Sequence, residues 1–228
     1  MDIAAALDAL GLRRSDLAYR GLYQGRVFMN SWLSLLPEET GTIRLQSLTS
    51  LDSRVLGGPS PPQTVFVELE LTPEGKPLRA IQNTAGKQLS VDFLAQKARL
   101  PHGSSQPVVF SEAGYVLDNN HPGLVALLLM LLARRDGAMP DASVFLLSAL
   151  TAIPYRLAKT DDGALQSEFG EVLYRDVDGL LTQIKAAGGT VLLERLAEAP
   201  PRPPVDVNDG QVQQAIAPPA PKALPPTR

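Results

Sequence analysis

The densest polar cluster in the chain is Asp118-Asn119-Asn120-His121, followed at once by Pro122. An imidazole beside a carboxylate suits general-base chemistry, because the carboxylate can orient the ring and stabilise its protonated form. The same four side chains also suit the polar entrance of a binding cavity. Their bland use is a turn: Asx residues favour tight turns and helix caps, and Asn tolerates left-handed backbone. Trp32 lies in the strand-like run between Met29 and Leu35 and offers either a flat aromatic surface to a ligand or a core side chain. The candidate ligand-contacting residues are therefore Trp32, Asp118, Asn119, Asn120 and His121. No residue is assigned a catalytic role, and a hydrolase-type reaction centred on Asp118 and His121 is the lesser alternative.

Other chemistries find little support. The chain has two histidines and no cysteine, which excludes disulfides, thiol catalysis and thiolate zinc sites. His102 stands between Pro101 and Gly103 in an evident loop, so a two-histidine metal site would require a fortunate fold. There is no Gly-x-Ser-x-Gly elbow, and Ser31, Ser34 and Ser111 fall in strand-like contexts. Gly21 and Gly25, or Gly188 and Gly189, form neither a phosphate-binding loop nor a dinucleotide fingerprint. The acid pairs Asp161/Asp162 and Asp176/Asp178 run directly into glycines, as turns do. No metal and no cofactor is expected. A net charge of -3 and a pI near 5.4 lack the basic excess of a nucleic-acid binder.

The elements that must position these residues are mostly strands. In Thr64-Val-Phe-Val-Glu-Leu-Glu-Leu71, Val65, Val67, Leu69 and Leu71 share one face while Glu68 and Glu70 take the other, the period of two that a half-buried strand requires. Residues 42–50 alternate likewise, with Ile43 and Leu45 opposite in direction to Arg44 and Gln46. Strands over 78–84 and 88–95 complete an antiparallel meander. Further strands are expected at 144–150, 155–159, 171–175, 180–185 and 190–195, separated by Asp-Gly and Gly-Gly turns that favour a meander or barrel over a parallel fold.

Between the two strand-rich parts, residues 122–135 form one unmistakable helix. Proline suits its first turn, and Arg134 and Arg135 complement the negative end of its dipole. From Leu124 to Ala133 no residue is polar, so no face is left for water and the helix must be buried. Ten such residues span about 15 Å, half of a bilayer core, so no membrane span is expected. A small protein hides such a helix by curving a sheet around it. The expected fold class is mainly β (α+β), an antiparallel curved sheet or half-barrel wrapped around one buried apolar helix. The expected domains are a short helix over 1–16, a β-rich domain over 17–199 and a disordered Pro-rich tail over 200–228. The N-terminus places its arginines after its apolar residues, unlike a secretory signal, so a cytoplasmic location is expected.

The meander 64–95, the run Val116-Leu-Asp-Asn-Asn-His121 with its leucine-rich helix, and Asp178-Gly-Leu…Leu193-Glu-Arg195 together resemble bacterial β-rich half-barrel families of the lipoprotein-carrier-like and glycolipid-binding-like type. They also resemble the β-domain found ahead of some bacterial α/β-hydrolases. The resemblance implies a half-barrel wrapped on a helix, in some members with an apolar cavity, and it carries over no catalytic residue. The expected function is thus a non-catalytic binding protein for an apolar or lipid-like ligand, with recruitment of a protein partner through residues 200–228 as the alternative.

Overall fold

The computed structural model describes residues 16–38, 41–110, 114–118, 121–133 and 142–203. The first run of strands is β1 (Asp16–Tyr23), β2 (Arg26–Pro37), β3 (Ile43–Leu51), β4 (Gln63–Leu71), β5 (Pro77–Thr84), β6 (Lys87–Asp92), β7 (Lys97–Arg99) and β8 (Ser105–Pro107). Then come β9 (Tyr115–Leu117), the helix α1 (Pro122–Ala133), β10 (Ala142–Leu146) and β11 (Thr151–Tyr155). The second run is β12 (Leu157–Lys159), β13 (Leu165–Ser167), β14 (Val172–Arg175), β15 (Leu181–Ala186) and β16 (Val191–Arg195).

Each run is a simple up-and-down meander, and the two join where β16 pairs antiparallel with β1, from Tyr19 opposite Arg195 to Tyr23 opposite Val191. The result is one curved thirteen-stranded sheet, in the order β12-β13-β14-β15-β16-β1-β2-β3-β4-β5-β6-β7-β8. Register shifts at Gly21/Leu22, Glu70/Leu71 and Tyr174/Arg175 add local bend and twist. At Gly21 the chain needs glycine, because a Cβ there would stand 2.9 Å from the Phe28 ring and from Met29 Cβ.

The alternation in β4 works as expected: Val65, Val67, Leu69 and Leu71 are buried, and all but Val65 join a core that includes Leu124, Leu127, Leu128 and Leu129 of α1. The fold class read from the sequence is the one observed, a mainly β architecture with a single described helix enclosed by a curved sheet. Among the helix side chains whose burial is described enclosure is nearly complete, with Leu124, Ala126 and Leu129 fully buried and only Val125 and Leu131 partly open.

Three local expectations are corrected. The strand expected over 144–150 ends at Leu146, since Leu147 turns its N–H to Leu117 O (3.1 Å) and Leu150 adopts a positive φ of 50°. The strand expected over 155–159 is divided: β11 ends at Tyr155 and β12 begins at Leu157, as the chain leaves one sheet for the other. And β9 pairs with β10 in parallel, in a separate three-stranded sheet of order β11-β10-β9. A parallel pair needs a crossover too long for a hairpin, and α1 lies in that crossover. Pro154 lies on β11, an edge strand, where its missing N–H is tolerated. The helix expected over 1–16 falls outside the described residues except for Asp16, which opens β1. Of the Pro-rich tail, residues 200–203 are described and 204–228 are not.

Candidate functional site

The polar cluster ahead of α1 begins as the turn it resembles. His121 N–H donates to Asp118 O (3.1 Å) and Leu124 N–H to His121 O (2.9 Å), which winds the chain into the helix. Gly123 allows α1 to start directly on β2, since a Cβ there would stand 2.9 Å from Leu33 Cβ. This close approach drives the His121 ring into the concave face of the sheet, where it is 0% exposed.

Two hydroxyls receive it, and a third backs one of them. His121 Nδ1 lies 2.8 Å from Ser47 Oγ and 3.2 Å from Thr49 Oγ1, and Thr49 Oγ1 in turn donates to Ser31 Oγ (2.9 Å). Ser31 stands directly opposite Thr49 across β2 and β3. Ser47 and Thr49 continue the face that begins with Ile43 and Leu45, so they are polar residues at core-facing positions. Nearby, Gln82 of β5 donates its side-chain N–H to Asp118 Oδ2.

Burial pushes the His121 pKa down to about 3, because an imidazolium there would lose its hydration. The ring is therefore neutral at physiological pH. Its other nitrogen, Nε2, is buried and has no hydrogen-bond partner among the described residues. In one tautomer this is an unmatched donor and in the other an unmatched acceptor.

His121 and Asp118 border a cavity of about 270 Å³. Val125 of α1, Leu146 and Ile153 of the small sheet, and Ile184 and Leu193 of β15 and β16 supply its apolar walls. Phe169, 58% exposed, stands at its rim with its ring 5.9 Å from that of Tyr155. Tyr155 Oη–H (3.3 Å) and Ser167 Oγ–H (3.2 Å) both donate to Glu171 Oε2. Burial first, and then the Glu171 charge, push the Tyr155 pKa up, so it stays a phenol.

Of the residues singled out in the sequence, Asp118 and His121 are thus brought to one cavity, and Asn119 and Asn120 lie outside the described residues. Trp32 is not brought there. Leu33 packs toward α1, so Trp32 faces the convex side, where Ala18, Trp32, Leu48 and Phe66 stand opposite one another across four strands. Its indole Nε1–H donates to Pro200 O (2.8 Å), Leu196 N–H donates to Ala18 O (2.8 Å), and Arg202 Nη1–H donates to Ser34 Oγ (3.2 Å). Trp32 fastens the segment after β16 to the back of the sheet.

In the lesser, hydrolase-type alternative Asp118 orients His121, and the structure shows a different arrangement. Ser47 and Thr49 hold the imidazole, and Asp118 is bonded to Gln82. A neutral ring held by hydroxyls lacks the carboxylate that a catalytic His-Asp pair uses. Sequence reasoning missed Ser31, Ser47, Thr49, Gln82, Tyr155 and Glu171. For Ser47 and Thr49 a clue exists, since each breaks the apolar rule on the buried face of an alternating strand.

A second concavity, of about 240 Å³, lies on the convex face among Arg79, Asp92, Lys97 and Arg99. Charges there alternate in cross-strand register, Arg44–Glu70–Arg79–Asp92–Lys97, the favourable pattern of a solvated sheet surface. Among the described residues no three potential metal ligands cluster, and no helix is long and apolar enough to cross a membrane.

No family model matches this chain, and no curated protein matches it. Among solved structures, a DUF1089 family protein from Pseudomonas aeruginosa is a distant neighbour, 17% identical, covering 66% of this chain and 86% of that chain with a TM-score of 0.41. A likeness of that size transfers neither a family nor a function.

Proposed function

We propose that this protein is a non-catalytic binding protein that holds an apolar or lipid-like ligand between α1 and the concave face of its sheet. The observation that carries the reading is the space α1 leaves unfilled: about 270 Å³, walled by aliphatic side chains from α1, the small sheet, β15 and β16. Well-packed interiors have few voids larger than a water molecule, and a concavity with mostly apolar walls and a few polar groups is the usual form of a small-molecule site. The volume lies just below the range of about 300–1,000 Å³ usual for small-molecule sites. It suits a single short chain or a small ring system, not a whole two-chain lipid. The resemblance of the sequence to half-barrel carriers supports the same reading.

Val125 offers the sharpest test, because it lines the cavity from a partly open position on α1. The neutral dye N-phenyl-1-naphthylamine should brighten on binding the native protein. Val125→Trp, which fills the space, should abolish the brightening while leaving the thermal midpoint within a few degrees. Equal brightening with both proteins would overturn the proposal, as would none with the native one.

A further inference from the structure

We infer that the ligand's polar end is uncharged: the cavity takes an apolar chain ending in a hydroxyl and rejects the same chain ending in a carboxylate. This rests on the proposed cavity binding and adds the chemistry of the ligand's head.

The first support is His121. Its Nδ1 is already used by Ser47 and Thr49, while Nε2, on a residue that lines the cavity, is buried without a partner among the described residues. A buried polar atom left unmatched costs about 1–3 kcal/mol, so a ligand that supplies the missing hydrogen bond is favoured over a plain hydrocarbon. A hydroxyl both donates and accepts, and so it pairs with Nε2 in either tautomer.

The second support is charge. Two carboxylates, Asp118 and Glu171, border the cavity, and among the described residues lining it there is no lysine or arginine. The imidazole supplies no positive charge either, since burial keeps it neutral. A carboxylate entering this space would lose its hydration beside the Glu171 charge, and the described lining offers it no cation. Both carboxylates already accept hydrogen bonds, Glu171 Oε2 from Tyr155 and Ser167 and Asp118 Oδ2 from Gln82.

The test uses the full chain at pH 7.5, with 1-octanol, octanoate and octylamine each displacing N-phenyl-1-naphthylamine. Octanol should displace the dye at a concentration about tenfold lower than octanoate, the size expected for one unfavourable charge contact in a partly screened site. Glu171→Gln keeps the side chain's shape, removes one charge, and should narrow that gap several-fold by improving octanoate more than octanol. Octanoate binding as well as octanol would overturn the inference while leaving cavity binding intact. So would octylamine binding tightest, or a gap unchanged in Glu171→Gln. If the dye and all three chains fail to bind, cavity binding itself is overturned, and the inference with it.

Discussion

On the convex face of the large sheet, Ala18, Trp32, Leu48 and Phe66 form an apolar row, and the chain's own Leu196 packs over it. The indole N–H is matched by Pro200 O, so that row is closed in both apolar and polar terms. On the concave face the covering element is α1, which buries its leucines but leaves a cavity beside its first turn and leaves His121 Nε2 unmatched. The same kind of strand, alternating with a period of two, presents both surfaces. What differs is the fit of the covering segment. An extended strap follows a sheet closely, whereas a straight helical cylinder laid in a curved sheet meets it unevenly and leaves room at one end. The room is bordered by the residue that carries the unmatched nitrogen, and this separates the proposed binding surface from a packing surface.

The largest effect that would sharpen this contrast is expected on the closed side. Trp32→Ala removes a buried ring and the hydrogen bond to Pro200, and should cost about 3–5 kcal/mol in urea unfolding. Dye binding at the concave face should survive it. A loss of dye binding in a protein that remains folded would break the separation of the two faces.

The open side should show itself in pH. The unfolded chain binds a proton on His121 near pH 6.5, whereas the native ring resists until about 3. Stability is therefore unaffected by this group above 6.5 and falls as the pH drops below it, by about 1.4 kcal/mol per unit while the native ring stays neutral. Urea titrations from pH 7 to 4.5 should show this slope in the native protein and a shallower one in His121→Gln. Equal slopes would mean that the native ring protonates as readily as a free one.

A smaller loss is expected from Ser47→Ala, about 1–2 kcal/mol, because one of the two hydroxyls holding Nδ1 is removed and the other remains. With the ring less firmly placed, the preference for octanol over a plain hydrocarbon should shrink. An unchanged preference would show that Thr49 alone fixes the imidazole.

Much of this architecture could be read locally. Val65, Val67, Leu69 and Leu71 announce a strand with one buried face, and the unbroken apolar run after Pro122 announces a helix with no exposed side. Asp118 and His121 were legible as a polar cluster entering that helix, and they do border the cavity. Their partners were not, because Ser47 lies 74 residues away and a serine in a strand carries no mark of what it will meet. The side Trp32 faces was equally hidden: alternation sorts Trp32 from Leu33 but does not say which of the two meets α1.

The sequence by itself determined the periodicities, the turns and the need to bury one helix, since each follows from neighbouring residues and their contact with water. Only the tertiary structure decided that β16 closes against β1, that β9 and β10 run parallel, and that α1 stops short of filling its trough. Those outcomes depend on register and curvature summed over thirteen strands, and no single stretch of chain encodes either.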